Sequence, residues 1–306
     1  MKPEAWKDVY QLSAIYKESE MYAITVITGQ VGGAVARKLL SDNQSVCAVI
    51  RDAKKGTAWV EEGCGVALAD MNDADALTAA FRKAEGVFVV IPPNFAPSPG
   101  FPETRAIVAA LRTAIAAVHP GKVVCLSTIG AQATQSNLLT QLQILEQVLG
   151  DLPMPLAFLR PAWFMENAAW DVAPARESGI IQSFLQPLDK PVPMIATADI
   201  GRVASELLQQ NWSGRRTVEI EGPRRVTPND IAKGFSKILG RLVHAEVVPR
   251  ETWEVLFKAQ GTANPEPRIR MLDGFNEGWI EFESGESGSI KGEVELETVL
   301  KSLVER

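Results

Sequence analysis

From Ala23 onward, short apolar runs alternate with stretches whose apolar residues recur at helical spacing. The runs Ala23–Ile27, Ser45–Ile50, Gly65–Ala69, Gly86–Ile91, Lys122–Leu126 and Leu156–Leu159 are rich in Val, Ile and Leu and predict strands. Between them the spacing predicts helices running to Leu40, near Thr57–Glu62, over Ala74–Ala84, over Thr104–Val118 and over Leu138–Leu149. Strands that are apolar throughout, rather than on alternate positions, are covered on both faces, which is the habit of parallel sheets. Strictly alternating strands and helices therefore predict an α/β, Rossmann-type doubly wound parallel sheet, whose ligands sit at the carboxyl ends of the strands.

Beyond Arg160 the text turns irregular, richer in Pro and Gly, and carries Trp163, Trp170, Trp212, Trp253 and Trp279. The expected organisation is an N-terminal extension over residues 1–20 and a dinucleotide-binding domain over 21–160. A smaller C-terminal α/β lobe over 161–306 follows, some of its elements returning to the main sheet. Within residues 1–20, Trp6, Val9, Tyr10, Ala14 and Tyr16 suit a short amphipathic helix packed on the domain or a partner subunit; a disordered leader is the alternative.

Composition narrows the classes. The chain has 306 residues, 46% hydrophobic and 22% charged, with a net charge of −6. That balance, with no run of Lys or Arg, argues against direct nucleic-acid binding, which needs a basic surface. No stretch approaches the roughly 18 unbroken apolar residues of a membrane helix, and the charged first 20 residues do not read as a secretory signal. Cys47, Cys64 and Cys125 are widely spaced and form no CxxC. They suit a reducing cytoplasm rather than a disulfide framework or zinc site. His119 and His244 have no partner at ligand spacing, so no metal is expected.

The candidate chemistry begins where the first strand ends, at Val26-Ile27-Thr28-Gly29-Gln30-Val31-Gly32-Gly33. A glycine-rich turn between a strand and a helix admits a phosphate close to the backbone, where the helix N-terminus offers free N–H groups. Thr28, Gly29, Gln30, Val31 and Gly32 are the expected contacts; a strand–helix turn without a ligand is the alternative. The segment resembles the T-G-A-T-G-x-x-G turn of extended and atypical short-chain dehydrogenases. In that register Gly29 and Gly32 match the second and third glycines, while Val26 replaces the first and Ile27 the neighbouring alanine. Valine is β-branched and ill-suited to positive φ, so Val26 is expected to crowd the adenosine side of the turn.

Arg51 ends the second strand, followed by Lys54 and Lys55. An acidic residue there would bind the ribose 2′-OH of NAD, whereas arginine accommodates the 2′-phosphate of NADP. Arg51 with Lys55 therefore favours NADP(H) over a merely solvated basic loop. Asp70, ending the third strand beside Met71, is placed to accept from the adenine amino group, or else to cap the following helix. Ile91, Pro92 and Pro93 should line the groove by backbone and apolar contact, or else form only a rigid strand end.

Several blocks then recur in order: Arg51-Asp-Ala-Lys54, Val87-Phe-Val-Val-Ile-Pro-Pro93, Leu126-Ser-Thr-Ile-Gly130, Phe158-Leu-Arg-Pro-Ala-Trp-Phe-Met-Glu-Asn167, Ile195-Ala-Thr-Ala-Asp-Ile-Gly201 and Gly274-Phe-Asn-Glu-Gly-Trp279. Together they resemble the NmrA-like group of atypical short-chain dehydrogenases, which includes NADPH-binding redox sensors and quinone reductases. The resemblance covers about residues 21 to 303.

Ordinary short-chain dehydrogenases use a Tyr with a Lys four residues on. All three tyrosines here, Tyr10, Tyr16 and Tyr22, precede the glycine-rich turn, and no lysine occurs from Val123 to Asp189. Near the expected nicotinamide site stand Ser127 and Thr128, as ligand contacts or strand-end caps. Trp163, Phe164 and Asn167 form an expected pocket for a flat acceptor, with plain packing as the alternative for the aromatics, and Arg160 can close a structural ion pair. Three readings follow. One is an NADPH-dependent reductase passing hydride directly to a quinone-like acceptor. Another is a non-catalytic NADP(H) sensor acting on a regulatory protein partner. The third is a scaffold in which Val26 has abolished binding. Homo-oligomerisation stays open.

Overall fold

The computed structural model describes residues 21–306; the expected helix at Trp6–Tyr16 lies outside the described residues. The first half alternates β1 (Met21–Thr25), α1 (Gln30–Ser41), β2 (Ser45–Ile50), α2 (Gly56–Glu61), β3 (Gly65–Leu68) and α3 (Ala74–Phe81). It continues with β4 (Ala84–Val89), α4 (Pro102–Val118), β5 (Lys122–Leu126), α5 (Thr140–Leu149) and β6 (Leu156–Pro161). The predicted ends of β2 and β5 coincide with those observed. The helix expected to reach Ala84 stops at Phe81, because Ala84 is buried and pairs with Met21 as the first residue of β4. The helix expected from Leu138 begins at Thr140, because the Asn137 side chain accepts from the Leu139 amide and holds that stretch as a turn.

The second half adds β7 (Trp163–Phe164), α6 (Val172–Glu177), β8 (Ile180–Ser183), β9 (Met194–Ile195), α7 (Thr197–Gln209) and β10 (Arg215–Glu221). Then come α8 (Pro228–Leu239), β11 (His244–Val247), α9 (Trp253–Ala259), α10 (Glu266–Glu277), β12 (Ile290–Lys291) and α11 (Leu296–Glu305).

Eight strands form one sheet in the order β3-β2-β1-β4-β5-β6-β10-β12, every neighbouring pair parallel. Two further parallel pairs, β7 with β9 and β8 with β11, lie outside it. Successive side chains of a strand point to opposite faces, so Tyr22 and Ile24 enter one buried cluster while Ala23 enters the other. The first cluster takes Val35 and Leu39 of α1 and Ile200 and Val203 of α7; the second takes Leu77 of α3, Leu111 of α4 and Leu145 of α5. Helices thus cover both faces. On the first face α1 and α7 come so close that a Cβ on Gly201 would stand 2.7 Å from that of Ala34.

The three cysteines are free and buried, and burial pushes the Cys47 thiol up to about 11. Among the described residues no helix is long and apolar enough to cross a membrane, and no group of three or more His, Cys, Asp or Glu is placed to hold a metal ion.

Candidate dinucleotide site

Because all strands of the main sheet are parallel, their carboxyl ends share one edge. The chain leaves β1 toward β2 and β3 on one side and toward β4, β5 and β6 on the other. A crevice opens at such a reversal. Beside it, Thr25 ties the end of β1 to β4: its hydroxyl donates to the Val90 carbonyl at 2.8 Å and accepts from the Val90 amide at 2.7 Å.

The next residue is Val26, with φ of +48°. The first-glycine position of the turn therefore does need the left-handed backbone that glycine adopts freely, and a β-branched residue fills it. The Gly29 amide donates to the Val26 carbonyl at 3.0 Å and closes the turn. Gly29 is the N-cap of α1, with no side-chain cap and no acidic residue in the first turn. The amides of Gln30, Val31 and Gly32 are therefore the free donors of a helix N-terminus. Gly32 is required by the fold itself, since a Cβ there would stand 2.6 Å from the Val26 carbonyl oxygen. Thr28, Gly29 and Gln30 are exposed, and Val26 is half-buried with its Cγ1 3.6 Å from where a Gly29 Cβ would lie.

At the tip of β2, Arg51 is exposed and makes no salt bridge or hydrogen bond among the described residues. Its charge reaches Asp70 at the tip of β3. The Asp70 carboxyl lies below its ordinary pKa, first through the Asn72 backbone amide at 2.9 Å and the Asn72 side chain, with Arg51 adding to the effect. The capping role considered for Asp70 belongs instead to Asp73, which accepts from the amides of Asp75 and Ala76 at the start of α3. Lys55 is exposed and Met71 half-buried beside these tips. Across the crevice, Ile91 is buried, Pro92 half-buried and Pro93 exposed.

On the far side stands Ser127. Its hydroxyl is buried and donates to Glu146 of α5. Glu146 receives a two-point contact from Arg160 at 2.8 and 2.7 Å. Arg160 also donates to Glu283 at 2.8 Å, with Glu219 at 3.4 Å. The Ser127 proton is thus held inside a buried ion cluster, whose centre is the structural pairing considered for Arg160. Thr128 is half-buried. Trp163 is half-buried and meets the edge of Phe275 at 5.2 Å between ring centres; Phe164 is half-buried and Asn167 exposed.

Reading the sequence missed Glu146 and Gln141, both on the helix predicted over Leu138–Leu149. The Gln141 side chain is buried, accepts from Thr104 at 3.0 Å and donates to the Asn94 carbonyl at 2.9 Å. One signal was available for Glu146: an arginine inside an apolar strand demands a carboxylate nearby. Tyr22 is 1% exposed within β1 and is part of the core.

The edge thus joins an uncapped helix N-terminus, a guanidinium without an ion pair among the described residues, and a rigid apolar corner. That set can receive a diphosphate, with a further phosphate at Arg51. The chain is similar to the NAD(P)H azoreductase of Xenophilus azovorans, 27% identical over 226 residues, 73% of this chain and 76% of the relative. It is also similar to quinone oxidoreductase 2 of Escherichia coli, 23% identical over 243 residues, 79% of this chain and 82% of that one. Among solved structures, Citrobacter sp. triphenylmethane reductase complexed with NADP(H) matches with a TM-score of 0.75 at 19% identity, covering 92% of this chain and 99% of that one. The Escherichia coli quinone oxidoreductase complexed with NADPH matches at 0.69 and 20% identity, over 94% and 95%. These two structures share the fold described above. The model of the NmrA-like family matches residues 20–270, and the chain belongs to that family.

Proposed function

We propose that this chain is an NADPH-dependent reductase that delivers hydride directly to a quinone-like or other flat acceptor, without a Tyr/Lys pair. The observation that carries this reading is Arg51, exposed at the tip of β2 beside the uncapped Gly29–Gly32 helix start. Relatives named as an NAD(P)H azoreductase and a quinone oxidoreductase support it.

Bound there, reduced nicotinamide supplies the hydride, and the chain's own residues do the rest. The amides of Gln30, Val31 and Gly32 bind the diphosphate and Arg51 the 2′-phosphate. Asp70 accepts from the adenine amino group beside Met71 and Lys55, and Ile91 to Pro93 exclude water from the groove. Trp163, Phe164 and Asn167 orient the acceptor. No side chain need pass a proton, since a quinone takes its protons from water once hydride has arrived; positioning supplies the rate. Ser127, held by Glu146, is consistent with that economy. The buried free thiols support a reducing, cytoplasmic setting.

That same occupied Ser127 favours a second reading, an NADP(H) sensor whose occupancy selects a form that a regulatory partner recognises. Calorimetric titration with NADPH, NADP⁺, NADH and NAD⁺, followed by NADPH oxidation against a panel of quinones, separates the two. Binding with turnover supports the reductase; binding without turnover supports the sensor. Failure to bind any of the four overturns both and leaves a scaffold.

A further inference from the structure

An arginine that leaves water normally does so beside a carboxylate, because an enclosed charge without a counter-charge is unfavourable. Most buried and half-buried arginines of this chain obey. Arg112, Arg160, Arg202 and Arg225 each meet an Asp or Glu, and Arg216 donates to the Gln210 side chain. Arg268 and Arg270 depart from the rule: both are half-buried, and neither makes a hydrogen bond or an ion pair among the described residues. Two residues apart on α10, they face different ways. Arg270 stands 5.9 Å from the Trp279 ring, whereas Arg268 lies 4.1 Å over the ring of Phe257 on α9. Burial draws the Arg268 guanidinium below its ordinary pKa with nothing to offset it. For Arg225 burial acts in the same direction, but Glu281, Glu221 and Glu286 more than reverse it. Arg268 nevertheless keeps its charge, since an arginine does not deprotonate in proteins.

A guanidinium over an aromatic face keeps its N–H donors at its planar edge. Those of Arg268 are not sealed from solvent. Such an edge takes an oxyanion in two parallel bonds, the geometry that a carboxylate, sulfonate or phosphate offers. Neighbouring residues place Arg268 in the fold. The carbonyl of Pro267 accepts from the Leu138 amide at 2.8 Å, and Asn264, four residues before Arg268, donates to the Pro97 carbonyl at 2.7 Å. Leu138 lies in the connection leaving the carboxyl end of β5, and Pro97 in the one leaving β4. Arg268 thus belongs to the edge of the main sheet where ligands of this fold class sit. It stands on the β4–β5 side, not on the β2 side that carries Arg51.

We propose that Arg268 is an oxyanion-binding residue, taking a carboxylate, sulfonate or phosphate at its free edge. The anion is either a substituent of the acceptor or a free small ion. The first source rests on the reductase reading; oxyanion binding itself does not.

The test compares wild type with Arg268→Met and Arg268→Lys. Methionine keeps an apolar contact on Phe257 and removes the charge. In thermal melting, sodium sulfate is set against sodium chloride at equal ionic strength. At a tenfold excess of sulfate over its dissociation constant, the wild-type midpoint should rise by about 2 °C more than that of Arg268→Met. In steady state with a naphthoquinone and its sulfonate, Arg268→Met should raise KM for the sulfonate about ten- to a hundredfold relative to the uncharged quinone. Arg268→Lys should recover part of both responses. A sulfonate-selective rise in KM assigns the anion to the acceptor, and a sulfate difference without it assigns a free ion. With neither, the assignment of Arg268 is overturned. Absence of quinone turnover by the wild type would remove the reductase reading and leave the sulfate comparison to decide.

Discussion

Val26 offers a sign-reversal experiment. At ordinary helix and strand positions alanine is more stabilising than glycine, by about 0.5–1 kcal/mol in element interiors. Val26 has φ of +48°, in the left-handed region. There any L-residue with a Cβ is strained by about 1–2 kcal/mol, and glycine is not. Alanine recovers about 0.4–1 kcal/mol by restricting the unfolded chain. The balance makes Val26→Gly more stable than Val26→Ala by about 0.5–1 kcal/mol. Each variant also loses the half-buried isopropyl group, which contributes about 1 kcal/mol at half the usual value for a fully buried valine. The glycine variant should therefore lie within about 1 kcal/mol of the parent, its relief of strain offsetting the lost packing, and the alanine variant about 1 kcal/mol below the parent. Urea unfolding of the three proteins reads this directly, and the melting temperatures of the two variants should differ by about 2 °C in a chain of this size. An alanine variant as stable as the glycine one would refute the left-handed assignment. The same pair tests the crevice. Cγ1 of Val26 stands beside Gly29, so Val26→Gly should tighten NADP(H) binding; an unchanged titration would mean the valine does not obstruct the nucleotide.

Three further outcomes are expected. Arg51→Ala should weaken NADPH binding about ten- to a hundredfold, the worth of a charge-assisted bond, and leave NADH nearly unaffected; equal loss for both in calorimetry would remove the 2′-phosphate assignment. Arg160→Leu strands Glu146 and Glu219 without their cation, both almost wholly enclosed, and should lower stability by about 3–5 kcal/mol. Burial alone would raise the Glu219 carboxyl, but the Ser284 hydroxyl and amide, the Glu283 amide and Arg160 more than offset it and hold it below the ordinary range. Its contribution is thus present above about pH 4.5 and lost as pH falls through the lowered value. The gap between wild type and variant should accordingly narrow in acid urea titrations. Asp171 behaves oppositely: burial pushes its carboxyl up to about 7 from 3.8, so stability is fully present below about pH 4 and is lost as pH rises through 7. Asp171→Asn should flatten that decline between about pH 4 and 7, by at most about 4 kcal/mol over the whole interval, and a slope equal to wild type would show that Asp171 ionises freely.

The main sheet was legible because buried parallel strands write themselves as continuous apolar runs, and the wrapping helices as helical spacing. β2 and β5 were read to the residue. Errors fell where a residue suits two states: Ala84 continues the alanine-rich face of α3 yet is the first residue of β4, and only its pairing with Met21 decides. In the candidate site, Gly29, Gly32 and Arg51 could be singled out as candidates because each occupies a set place relative to a strand end. Val26 could be flagged from its residue type, since the resemblance demands a glycine there, but its positive φ needed coordinates.

The sequence by itself determined the class of fold, the position of the glycine-rich turn, and the facts that every tyrosine precedes that turn and no lysine lies between Val123 and Asp189. These depend on local periodicity, on spacing along one strand–turn–helix unit, and on which residue types are present at all. Only the tertiary structure decided that Ser127 turns to Glu146, that Arg160 gathers carboxylates from α5, β10 and the segment before β12, and that the start of α10 meets the loops leaving β4 and β5. Those partners are far apart in the chain. No local pattern encodes which of several carboxylates a buried guanidinium will meet; that is chosen by the packing of elements, where an unpaired buried charge is too unfavourable to persist.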